Sequence, residues 1–154
     1  MEKIKITRKR IIEVNNTVMG TDVKGVAFNF KIAKLQKAIT PIIESIQKAE
    51  KPSDKYNEYQ SKLNEALSTY GTPTEQKGYY SFENDEKRKS FIEQNIKLEK
   101  EYKEVIDERK KQVEELDNIL LEEEEIEYEP IDLEDVPLDI STKQMNILID
   151  FIRE

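Results

Sequence analysis

The sequence predicts a mainly α-helical protein: an elongated antiparallel helical hairpin, coiled-coil-like, projecting as a stalk from a small α+β head that both termini build. Three observations point there. Of 154 residues 38% are charged and 36% apolar, against ~25% and ~45–50% in an ordinary globular domain, so the core is thin and much side-chain surface is solvated. Four glycines and five prolines leave long stretches without punctuation, which favours long helices. Charge is also segregated along the chain. Residues 1–51 carry +6, residues 52–111 carry −1 and residues 112–154 carry −13, within a formal net charge of −8. The two ends are therefore matched to attract each other. One domain, residues 1–154, is expected at this length, with 1–25 and 122–154 as head and 26–121 as stalk.

Each element follows from local pattern. Glu2-Lys3-Ile4-Lys5-Ile6 alternates charged and apolar residues with period two, a strand signal. Thr7 is placed to cap a helix through Val18 that sets Ile11, Ile12 and Val14 near one side. Gly20 and Gly25 bracket a polar turn. Phe28, Ile32, Leu35, Ile39, Ile42, Ile46 and Ala49 then recur at 3–4 spacing, a helix-packing seam. Pro41 is expected to kink or break this helix and Pro52 to end it. Ser53 caps the next helix, which carries Tyr56, Tyr59, Leu63, Leu67 and Tyr70 and stops at Gly71-Thr72-Pro73.

Residues 71–83 read as a loop with a short extended piece over Tyr79-Tyr80-Ser81-Phe82. From Asn84 or Asp85 to about Leu121 there is neither Gly nor Pro, and Phe91, Leu98, Tyr102, Val105, Val113, Leu116 and Leu120 mark a buried stripe. Acid-to-lysine pairs at i, i+4 decorate the other faces: Glu58–Lys62, Asp85–Lys89, Glu93–Lys97, Glu99–Lys103 and Asp107–Lys111. Each contributes ~0.2–0.5 kcal/mol and marks solvated helix. At 1.5 Å per residue the last helix spans roughly 57 Å, and residues 26–50 and 53–70 span roughly 37 and 27 Å. An antiparallel hairpin, one arm continuous and the other bent at Pro41 and broken at Pro52, satisfies those lengths.

The head comes from the ends. Glu125-Ile126-Glu127-Tyr128-Glu129 alternates like a strand that Pro130 confines to an edge. Pairing it with the first strand stacks Ile4 and Ile6 with Ile126 and Tyr128 and sets Lys3 and Lys5 opposite Glu125 and Glu127. Two strands alone are marginal. A helix capped by Ser141, with Met145, Leu148, Ile149 and Ile152 on one stripe, supplies the lid.

Function classes narrow by elimination. With no His and no Cys, the commonest general bases, nucleophiles and metal ligands are missing, so no catalytic, metal-binding or cofactor-binding residues are assigned. Gly20 to Gly25 has the outer glycines of a phosphate loop, but Val26 and Ala27 stand where Lys and Ser/Thr are needed. Asp132, Glu134 and Asp135 lack the turn glycine and trailing Glu of a calcium loop. The basic cluster Lys3, Lys5, Arg8, Lys9 and Arg10 has no aromatic interleaving, which argues against direct nucleic-acid binding. No apolar run reaches membrane-span length, no signal-peptide core follows the basic start, and the lack of Cys fits a reducing compartment.

Two features suit a protein partner. Tyr79, Tyr80 and Phe82 fall at the predicted hairpin tip, where burial is hardest to arrange, and aromatic side chains anchor interfaces. Glu122, Glu123, Glu124, Asp132, Glu134 and Asp135 belong to a stretch, Gln112–Thr142, with thirteen acids and no Lys or Arg. Those acids neutralise the basic N terminus, meet an external basic partner, or imitate a phosphate backbone in the groove of a host nucleic-acid or defence enzyme. The 3–4 seam of the stalk also permits a homo-oligomer.

Three stretches carry a family resemblance: Lys3-Ile-Lys-Ile-Thr-Arg-Lys-Arg-Ile-Ile-Glu-Val-Asn-Asn16, the Phe28-to-Ala49 helix ending in Glu50-Lys-Pro-Ser53, and Ile131-Asp-Leu-Glu-Asp-Val-Pro-Leu138. With these the chain resembles a family of small proteins of unknown function encoded by phages and prophages of low-GC Gram-positive bacteria. The resemblance implies a viral setting and brings no activity or site residues. The reading is a non-enzymatic phage protein, an assembly accessory or interaction adaptor that binds a viral or host protein, in the host cytoplasm or on the virion. The alternative is an acidic inhibitor that imitates nucleic acid.

Overall fold

The alternation at the N terminus does make a strand. In the computed structural model, which describes residues 1–154, β1 (Glu2–Thr7) pairs antiparallel with β4 (Glu123–Tyr128). The register sets Ile4 opposite Ile126, Lys3 opposite Glu127 and Lys5 opposite Glu125. One face therefore carries Ile4, Ile6, Ile126 and Tyr128 with Glu2 and Glu124 at its ends, and the other sets opposite charges against each other. Thr7 then caps α1 (Arg8–Met19), its hydroxyl accepting from the Arg10 amide, and Ile11, Val14 and Val18 are buried along one side.

A turn at Gly25, whose φ of +132° suits glycine, leads into α2 (Val26–Glu50). Pro41 lies within this helix, which runs through it rather than breaking. The missing N–H costs one bond of the ladder, and neighbouring turns hold the rest. The seam Phe28, Ile32, Leu35 and Ile39 is buried in one cluster with Ile6, Ile126, Tyr128, Ile131, Leu148 and Phe151.

That cluster corrects the expected division. The chain forms two compact units, residues 1–50 with 115–154, and residues 51–114. Helix α2 therefore belongs with the termini and is no arm of a 26–121 stalk. The physical reason is that a 3–4 seam specifies burial without specifying the partner. The apolar face of the β1–β4 ribbon is marginal unless something covers it.

The lid over that face differs in detail from the one expected. Ser141 makes a capping box with Gln144 at the start of α6 (Thr142–Leu148), as the motif requires. A 3-10 turn over Ile149–Phe151 follows, which shifts the phase. Ile149 is exposed, and Phe151 takes the core position, edge-on to Tyr128 with ring centroids 5.0 Å apart. Two residues beyond it, β6 (Ile152–Arg153), pair in parallel with β5 (Ile131–Asp132). Arg10 holds the end of α6 by donating to the Asn146 and Ile147 carbonyls at 2.9 and 3.3 Å.

In the second unit α3 (Asp54–Tyr70) starts at its Ser53 cap and ends at Gly71, and α4 (Asp85–Glu101) starts at its Asn84 cap. Between them β2 (Thr72–Pro73) and β3 (Tyr80–Ser81) form a minimal antiparallel pair. The helix after Asn84 is interrupted once. Tyr102, at φ −106° and ψ 18°, separates α4 from α5 (Lys103–Leu121), whose C-terminal end belongs to the first unit. Tyr102 is buried with Tyr59 and Leu98, its ring 5.6 Å from that of Tyr59, and its hydroxyl donates to Glu58 at 3.0 Å. Arg109 lies over the Tyr56 ring, so the chain runs antiparallel across this small aromatic core. Of the expected stripe, Val113 is exposed. Of the expected i, i+4 pairs, Glu58–Lys62 closes to 3.6 Å. No helix is long and apolar enough to cross a membrane.

Candidate functional site

Four of the six acids marked for an outside partner are engaged inside the terminal unit. Arg8, the first residue of α1, donates from Nε and one terminal nitrogen to Glu124 Oε1 at 3.0 and 2.7 Å. Its other terminal nitrogen reaches Glu122 at 3.0 Å, and its amide donates to the Glu122 carbonyl at 2.9 Å. Glu124 sits opposite Ile6 on the lid-facing side of the ribbon, where a carboxylate requires such a partner.

Asp132 receives two bases, Lys31 Nζ from α2 at 2.9 Å and Arg153 Nε from β6 at 2.6 Å. Lys31 also lies 3.9 Å from Asp135, and Lys34 binds Glu129 at 2.6 Å. These bonds hold the carboxyls of Asp132 and Glu129 below their ordinary range. For Asp132 the cause is Lys31 first and Arg153 second, and for Glu129 it is Lys34. The Arg153 guanidinium and the Lys3 ammonium are raised in turn by Asp132 and Glu125. Glu123 and Glu134 are exposed and make no ion pair. No three of the acids come together as a metal ion would need.

The aromatic tip comes apart in the same way. Tyr79 is 61% exposed at the end of the β2–β3 pair. Tyr80 is half-buried over Gly71, where an added Cβ would lie 3.3 Å from its ring and its own Cβ. Phe82 is half-buried against Phe91, with centroids 5.5 Å apart. One aromatic of the three is therefore free for a partner, because the other two pack the hairpin's own base.

No protein-family model, curated protein or solved structure matches the chain.

The structure brings forward residues that sequence reasoning passed over. Val26 and Phe30, one turn apart on α2, are 90% and 58% exposed. Leu133 and Leu138 are also exposed, and Leu138 is wholly so. The Lys31 bonds to Asp132 and Asp135, together with Pro137 lying 3.7 Å from where a Gly25 Cβ would stand, hold the 132–138 loop beside the start of α2. A signal was present. Val26-Ala27-Phe28-Asn29-Phe30 is more apolar than one buried stripe needs, and Val26 and Phe30 fall outside the Phe28–Ile32–Leu35 seam.

The surface also carries shallow, open grooves. One of about 440 Å³ lies between α1 and α6, lined by Glu13, Asn16, Thr17, Lys143, Gln144 and Ile147. Another, of about 490 Å³, runs along α4 and α5 in the second unit, with Tyr59 from α3 on its wall.

Proposed function

We propose that this chain is a non-enzymatic protein-binding module of a phage, an assembly accessory or interaction adaptor. The observation that carries the reading is the outward-facing apolar set Val26, Phe30, Leu133 and Leu138 beside the ion-paired start of α2. In a chain with 38% charged residues, large apolar side chains held in water by an ordered scaffold are a feature of interaction surfaces. The absence of His and Cys supports binding over chemistry. In this reading the 51–114 helices act as a coiled-coil-like arm with Tyr79 at its tip.

The alternative, an acidic inhibitor imitating nucleic acid, draws its support from Glu123, Glu134 and the other unpaired acids. It draws less than the charge count suggests, because Arg8, Lys31, Lys34 and Arg153 neutralise their neighbours. Affinity purification from an infected Gram-positive host tests both readings. The adaptor reading expects a virion or tail component to be retained by the native chain and lost from Phe30→Glu/Leu138→Glu, with circular dichroism unchanged. A host nuclease or polymerase subunit, bound equally by that variant, would favour the inhibitor.

A further inference from the structure

The groove along α4 and α5 has a pattern of its own. Ile96, Glu99, Lys103, Ile106 and Lys110 all line it, and Val113, 43% exposed, continues it. Their spacing is 3-4-3-4-3, the period of a coiled-coil seam. It borders the stripe of Leu98, Tyr102 and Val105 that faces α3 and shares Ile106 with it, half-buried against that cluster and lining the groove with its remaining surface.

Reversing the seam against itself gives a complementary match. If position i of one copy opposes position 209 − i of the other, Ile96 meets Val113, Glu99 meets Lys110, and the aliphatic stem of Lys103 lies on Ile106. On the flank Lys100 and Asp107, which also line the groove, come within two residues of facing each other. Every apolar side chain then meets an apolar surface, and the seam acid meets a base. A parallel pairing would set Glu99, Lys103 and Lys110 each against its own copy, and like charges directly opposed are disfavoured. Residues 96–113, roughly 27 Å of helix, take part, with the interruption at Tyr102 falling between Glu99 and Lys103.

We propose that a second copy of this chain docks in this groove, as an antiparallel, isologous dimer through α4 and α5. The symmetry doubles each contact, so each Glu99–Lys110 pair occurs twice. The seam is short and three of its six positions are charged, so the dimer is weak and concentration-dependent. The inference stands apart from the phage partner proposed above, which would bind the other unit.

Sedimentation equilibrium on the full chain, from low micromolar to millimolar concentration, tests it. A reversible monomer–dimer equilibrium is expected. Glu99→Lys and Lys110→Glu should each weaken it roughly tenfold, since two exposed pairs become repulsions. The double variant Glu99→Lys/Lys110→Glu should recover most of the affinity. Ile96→Lys, opposite Val113, should give monomer, and circular dichroism reports whether each variant is folded. A monomer throughout the range would overturn the proposal. So would a dimer indifferent to both charge reversals, or a double variant no tighter than the single ones.

Discussion

Arg8 is the residue on which the terminal unit's electrostatics turn. In the sequence it is one of five bases in a cluster that resembles a weak nucleic-acid patch. In the structure it spends its guanidinium on Glu122 and Glu124. The cluster could be read as neutralising the acids, but which base meets which acid depended on the turn from β1 into α1, which no spacing rule predicts. Arg8→Ala leaves Glu124 beside Ile6 without its partner and should cost about 1–3 kcal/mol, read as a lowered urea midpoint. An unchanged midpoint would mean that solvent replaces Arg8 at no cost. Phe151 is a second residue the sequence concealed. A continuous helix would place it off the lid stripe, and the 3-10 turn brings it in.

At the scale of elements, legibility followed the strength of the local signal. Period-two alternation and opposed charges made the β1–β4 pairing and its two faces readable, but not the register. That register sets Ile4 against Ile126, Ile6 against Glu124 and Tyr128 against Glu2, rather than both isoleucines against Ile126 and Tyr128. The caps Thr7, Ser53, Asn84 and Ser141 all sit where hydroxyl and amide side chains suggested. The destination of α2 was not readable, because its seam packs equally well on a helix or on a ribbon. The break at Tyr102, whose ring packs on Tyr59, was not readable either, since no Gly or Pro announces it. Helix α6 is too short to persist alone, so its capping box carries unusual weight. Ser141→Ala should destabilise the chain by about 0.5–2 kcal/mol, whereas Thr142→Ala, one residue on, should change the melting temperature little.

For the molecule as a whole, the segregated charge closes the chain ends on each other, and that closure has a pH signature. Asp132 and Glu129 titrate below the ordinary carboxylate range in the folded state. Their contribution is therefore complete above that range and lost as pH falls through their lowered values. Lys3, raised by Glu125, behaves oppositely: its contribution is complete below the ordinary lysine value and lost as pH rises through the raised one. Stability measured by urea should fall on acidification below the ordinary carboxylate range, and Asp132→Asn should flatten that limb. An acid limb unaltered in Asp132→Asn would remove the Lys31–Asp132–Arg153 cluster from the account.

The central claim is that opposite charges at the two termini meet across one ribbon. The most direct test is a charge-swap cycle on that ribbon: Lys3→Glu/Lys5→Glu, Glu125→Lys/Glu127→Lys, and all four together, unfolded in urea at low salt. The register predicts that each pair alone lowers stability, less so as salt is added, and that the fourfold variant recovers most of the loss. A fourfold variant whose loss equals the sum of the two pairs would contradict the account.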